Sequence, residues 1–155
     1  MTDTTTNTDT TTDTDTTTDT DTTADTGTGT APAAPGPAPF LTAWFEILDS
    51  DEPSRILDLI SDDFSLSILF STGDGNATDF AGDRAALVGY LEQRERGTRT
   101  HHLLSATTLG QDELFLGEVR RGGVPEASFV AAGRVDESGR LQRLLIGRSS
   151  EIRFD

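Results

Sequence analysis

Large apolar side chains are missing between Met1 and Phe40, then recur with a changing period to the end of the chain. Phe40, Leu41, Trp44, Phe45 and Leu48 share one helical face, and Asp49-Ser50-Asp51 ends that helix. Pro53 suits the first turn of a second helix carrying Ile56, Leu57, Leu59 and Ile60, which Ser61-Asp62-Asp63 interrupts. From Phe64 to Phe70 the period changes to two, so Phe64, Leu66, Ile68 and Phe70 point one way from a strand. A loop with Gly73, Gly75 and Asn76 follows. Asp83 is placed to cap a third helix with Leu87, Tyr90 and Leu91 inward and Gly97 as its stop. Four strands are predicted after it, near 100–109, 113–120, 126–135 and 140–149. They are joined by Gly110-Gln111-Asp112, Gly122-Gly123 and Asp136-Glu137-Ser138-Gly139, and a short last strand uses Ile152 and Phe154. Short turns between consecutive strands imply an antiparallel meander, and helices before strands imply an α+β fold. A strongly curved sheet of this kind would wrap the helices and leave an apolar pocket.

Composition divides the chain in two. Residues 1–39 hold 18 Thr and 7 Asp with no Lys or Arg, and cannot bury a core. They are expected to be a disordered Thr/Asp tail with an Ala/Pro linker through Pro32, Pro35, Pro37 and Pro39. The tail reads as a solubilising bristle, a phosphorylated Thr array, a weak cation sponge or a neutral appendage. Seven of the 27 acids lie there, leaving 20 acids against 12 bases in residues 40–155, a comfortable length for one domain. The formal charge of −15 repels phosphate backbones, so no nucleic-acid partner is expected. All 12 bases are Arg, a bias that fits a GC-rich bacterial genome. Cys is absent, which excludes a disulfide scaffold. No apolar run reaches about 18 residues and no basic leader precedes one, so neither membrane insertion nor secretion is expected and the location reads as cytoplasmic.

Four phrases in this order resemble the SnoaL-like group of the NTF2-like superfamily. They are Leu57-Asp58-Leu59-Ile60-Ser61-Asp62-Asp63-Phe64, Phe80-Ala81-Gly82-Asp83-Arg84-Ala85-Ala86-Leu87, Thr100-His101-His102-Leu103-Leu104-Ser105, and Val135-Asp136-Glu137-Ser138-Gly139-Arg140-Leu141. Together they span about residues 38–155. The resemblance implies an NTF2-like (cystatin-like) cone, with three N-terminal helices packed on a curved antiparallel sheet. It also implies a pocket at the open end and homodimers formed through the sheet. It implies no single activity, because isomerases, cyclases, epoxide hydrolases, dehydratases and non-enzymatic binders share the fold.

Ketosteroid isomerases of this superfamily use a carboxylate base, a tyrosine and a protonated acid. The resemblance places those positions near Ile68, Trp44 and Ala131, none of which can do the same work. The epoxide-hydrolase and cyclase patterns want a carboxylate where Leu144-Leu145-Ile146-Gly147 stands. Among the remaining polar residues, His101 and His102 point to opposite faces of one strand. The resemblance favours His102 inside, as a general base or as a hydrogen-bonded wall residue. Neighbouring histidines on a strand cannot share a metal, and no third ligand is spaced for one, so neither metal nor cofactor is expected. Arg143 and Arg148 lie on opposite faces of the last long strand. One is placed to meet a carboxylate ligand at the pocket mouth, or both pair with acids such as Glu118 or Glu151. Asp74 and Asp79 are read as loop carboxylates near the rim.

The expected pocket wall is Trp44, Phe64, Ile68, Tyr90, His102, Ala131 and Ile146, with His102 as polar anchor. Three readings follow. The first is a protein binding a small, mostly apolar molecule. The second is a cyclase- or isomerase-like enzyme with His102 as base, assisted by Asp74 or Asp79. The third is a non-catalytic homodimeric interaction module.

Overall fold

A computed structural model of the chain describes residues 36–71, 76–94 and 96–154. The expected Thr/Asp tail, apart from its last residues, and Asp74 lie outside the described residues. Helix α1 is Pro39–Leu48, with Leu41, Trp44, Phe45 and Leu48 buried, which matches the apolar face in the sequence. Its N-terminus is closed from elsewhere in the fold. Glu113 reaches in from a strand and accepts the amides of Phe40 (3.1 Å) and Leu41 (2.8 Å), satisfying donors that no residue at the helix start can serve.

The expected second helix is a 3₁₀ segment, Pro53–Asp58. Its buried positions Pro53 and Ile56, with Leu59 at its C-terminal cap, are spaced by three, which suits three residues per turn better than 3.6. Ile60, read as helical, instead opens strand β1 (Ile60–Ser71). The inward set Phe64, Leu66, Ile68 and Phe70 holds as expected. Strand β2 (Ala77–Asp83) falls where a loop was expected and pairs antiparallel with β1. It is an edge strand with no fully buried residue, so it carries no apolar alternation. Helix α2 is Arg84–Gln93, started by the Asp83 carboxylate accepting the Ala86 amide at 3.0 Å. It ends four residues before Gly97, the predicted stop.

Strands β3 (Arg99–Leu109), β4 (Asp112–Arg121), β5 (Val124–Val135) and β6 (Leu141–Ser149) form the expected meander. The sheet order is β2-β1-β6-β5-β4-β3. The sheet is mixed rather than antiparallel, because β1 and β6 run parallel from Ser65↔Arg143 to Ser71↔Ser149. After β2 the chain crosses through α2 to the far edge, and the meander returns to place β6 beside β1. The described residues therefore form two α-helices and a 3₁₀ segment on a curved six-stranded sheet that is mixed rather than antiparallel, and the expected second helix is the 3₁₀ segment. Ile152 and Phe154 lie outside the sheet and are exposed, so no seventh strand forms there.

The core sits between the helices and the inner sheet face. Phe45 packs on Phe129 (4.8 Å between ring centroids) and on Phe115 (5.0 Å), and Trp44 on Phe64 (5.9 Å). Such pairs contribute about 0.5–1.5 kcal/mol each beyond area burial. Gly117 on β4 allows this packing: a Cβ there would lie 2.6 Å from the Phe129 ring and 2.7 Å from the His102 carbonyl oxygen.

Candidate functional site

A cavity of about 300 Å³ opens between α1, α2 and the inner sheet face. Its apolar wall comes from Trp44 and Phe45 on α1, Leu66 and Ile68 on β1, Phe129 on β5 and Ile146 on β6. Tyr90 joins from α2, packed on Phe80 at 5.3 Å. Its charged and polar wall is His101 with Arg94, Arg99 and Arg148.

Strand β3 delivers His101, not His102, to this cavity. The register of β3 on β4 steps from Leu103↔Gly117 to Ser105↔Leu116, so Leu104 is an extra residue. Beyond that bulge the inward residues are even-numbered, as with Thr108 opposite the buried Glu113. Before it they are odd-numbered, as with His101 opposite the buried Val119. One inserted residue reverses which histidine faces inward. His102 lies on the other face beside Thr100, with Nε2 2.9 Å from the Thr100 hydroxyl oxygen.

The His101 ring joins the aromatic cluster of the core. Phe45 lies 4.9 Å away and Phe129 meets it edge-on at 5.4 Å. Asp49, at the C-terminal cap of α1, accepts from the His101 backbone amide and sits 2.8 Å from Nδ1. Arg94, just past α2, pairs with the same carboxylate at 3.3 Å and donates to the Leu48 carbonyl, fixing the end of α1. Burial alone would raise the Asp49 carboxyl. The hydrogen bonds and charge of His101, with the nearby Arg94 guanidinium, outweigh it and hold the carboxyl below its ordinary value. An ionised carboxylate only accepts, so Nδ1 carries the proton and Nε2 keeps its lone pair in the neutral ring. Nε2 bonds to no protein atom among the described residues. Asp49 had been legible only as a helix terminator.

The other expected wall residues divide. Trp44, Ile68, Tyr90 and Ile146 line the cavity. Phe64 and Ala131 are buried in the core and contribute no surface to it. The Trp44 indole nitrogen is buried with no acceptor among the described residues. Arg148 enters the wall and pairs with Glu126 at 2.6 Å, while Arg143 stays outside and pairs with Asp63 at 3.6 Å. Their opposite faces were expected; their partners were not. Asp79 lies on β2 opposite Leu69, exposed and away from the cavity. No group of three or more metal-ligating side chains occurs among the described residues. No helix among them is long and apolar enough to cross a membrane.

No protein-family model and no curated protein matches the sequence. Solved structures do match. Wild-type IdmH of Streptomyces antibioticus, a candidate polyketide cyclase, aligns at 17% identity with a TM-score of 0.54, over 70% of this chain and 88% of that one. A candidate isomerase of the SnoaL-like family from Agrobacterium tumefaciens aligns at 8% identity and TM-score 0.54, over 70% and 93%. A candidate ketosteroid isomerase from Kribbella flavida aligns at 10% identity and TM-score 0.54, over 75% and 79%. The chain is similar to all three in fold, and the low identities carry nothing of their activities.

Proposed function

We propose that this chain, with its SnoaL-like, NTF2-like fold, binds a small, mostly apolar molecule in the cavity, and that His101, oriented by Asp49, removes a proton from it. The observation that carries this reading is a histidine–carboxylate pair in the wall of a mostly apolar cavity. Nε2 takes the proton of an acidic C–H, and the electron pair left behind moves into a conjugated carbonyl as an enolate. The imidazolium so formed is stabilised by Asp49, and the cationic wall offsets the enolate's charge. Isomerisation, aldol-type cyclisation and dehydration share this first step. No cofactor takes part. His101 replaces His102 as the base, and the carboxylate set of the isomerases is not needed.

The test uses the full chain and 2-tetralone, a small apolar ketone with acidic α-protons. Exchange of those protons in deuterium oxide is followed by NMR. The wild type and His102→Gln are expected to exceed the buffer rate equally, and His101→Gln to lose about 10²-fold or more of that excess. Equal rates in His101→Gln and the wild type would remove the dyad from the mechanism. A retained ligand without exchange would leave a binding protein.

The same reading includes a homodimer through the outer sheet face. Leu69, Leu109, Val130 and Leu145 stand exposed across it, and an apolar face of this kind left to water marks an interaction site. Sedimentation velocity should show a dimer for the wild type and a monomer for Val130→Glu. A monomeric wild type would refute this part.

A further inference from the structure

Two strands put arginines in one part of the cavity wall, and two more supply the charges around them. Arg99 on β3 and Arg148 on β6 stand in its wall, and both pair with Glu126 on β5. Arg99 reaches Glu126 through Nε at 2.7 Å and Nη2 at 3.2 Å, and Arg148 through Nη2 at 2.6 Å. Arg121 at the end of β4 adds a third guanidinium at 3.2 Å. Glu126 reaches them because it is a bulge residue: the register steps from Val119↔Ala127 to Arg120↔Pro125. Strict alternation would send its side chain to the outer face, away from Arg99 and Arg148. Three guanidinium groups on one carboxylate leave an excess of two positive charges, in a chain whose net charge is −15. Burial alone would raise the Glu126 carboxyl, but Arg99 and Arg148 hold it below its ordinary value, so it stays ionised and the excess is two. Arg148 also lies over the Phe70 ring, 5.9 Å from its centroid, which holds the guanidinium in place. Its Nε and Nη1 donate to no protein atom among the described residues.

A cavity with apolar walls at Leu66, Ile68 and Ile146 and spare arginine donors in one part of its wall fits a molecule with an apolar body and one anionic head. The planar fork of a guanidinium matches the two oxygens of a carboxylate. Resting on the cavity-binding reading above, we propose that the ligand is a small apolar carboxylic acid bound as its carboxylate. Its head meets Arg148 and Arg99, and its body lies toward Ile68.

Trp44 is the single tryptophan of the chain and stands in the cavity wall, so its fluorescence reports binding. The probes are adamantane-1-carboxylate and adamantane-1-carboxamide, equal in body and different in charge, with native mass spectrometry as the second readout. The carboxylate is expected to bind at least tenfold more tightly than the amide. Arg148→Gln should cut that preference to threefold or less. Glu126→Gln removes the competing charge and should tighten the carboxylate several-fold with the amide unchanged, which a purely structural ion pair would not do. If Arg148→Gln fails to fold, Glu126→Gln decides the question alone. Equal affinity for the two probes, or a preference that survives Arg148→Gln, overturns the carboxylate assignment and leaves the cavity reading standing. If neither probe binds the wild type, both fall.

Discussion

Replacing Asp49 by Asn removes one charge at the point where α1, α2 and β3 meet. The carboxylate accepts from the His101 amide and Nδ1 and pairs with Arg94, and its side chain is 14% exposed. A hydrogen bond to a charged group contributes about 1.5–3 kcal/mol when buried. Asparagine keeps an acceptor for one of these donors and gives up the charge. The expected loss is about 2 kcal/mol at pH 7. The pH dependence follows from the lowered carboxyl. Its folded value lies below its unfolded one, so its contribution is present above the unfolded value near 3.8 and is lost as pH falls through the folded one. Urea unfolding of both proteins, followed by Trp44 fluorescence, should show a gap of about 2 kcal/mol at pH 7 that narrows as the pH drops below 4. Equal midpoints at pH 7, or a gap that does not change with pH, would refute the claim that Asp49 is an ionised, paired carboxylate.

Two further substitutions test the frame around the site. Burial raises the Glu113 carboxyl against the opposing hydrogen bonds from Leu41 and Phe40, so its stabilising contribution is greatest below the unfolded value near 4.5 and is lost as pH rises through the folded one. Glu113→Gln should therefore gain stability relative to the wild type between pH 4 and 7 in urea titrations, and the opposite slope would contradict the assignment. Gly117→Ala places a methyl group against the Phe129 ring and the β3 backbone, and should cost about 1–3 kcal/mol with a changed near-ultraviolet spectrum from the displaced aromatic cluster. An unchanged unfolding midpoint would show that β3 and β4 are further apart than described.

The sequence made α1, the start of α2 and the β3–β6 meander legible, because apolar period, the Asp83 cap and glycine turns act locally. What it hid is non-local. Strand β2 lacks alternation because it is an edge, and the parallel pairing of β1 with β6 depends on where a crossover lands. The site was legible in its apolar half: Trp44, Ile68, Tyr90 and Ile146 follow from periodicity and resemblance. Its polar half was not. The choice between His101 and His102 turns on a single extra residue at Leu104, and Leu103-Leu104 shows no alternation from which to infer it. Asp49 meets His101 across 52 residues of sequence, and Glu126 reaches the arginines only through its own bulge.

The central claim is that His101, with its proton on Nδ1 against Asp49, faces the ligand. The chain has two histidines, so a long-range proton–nitrogen NMR spectrum of histidine-labelled protein shows two rings, assigned with His102→Gln. In its neutral form, the His101 ring should carry its proton on Nδ1 and lose that preference in Asp49→Asn. Adding adamantane-1-carboxamide should shift that ring and leave the His102 ring in place. A response confined to His102, or a His101 ring protonated on Nε2 alone, would contradict the account.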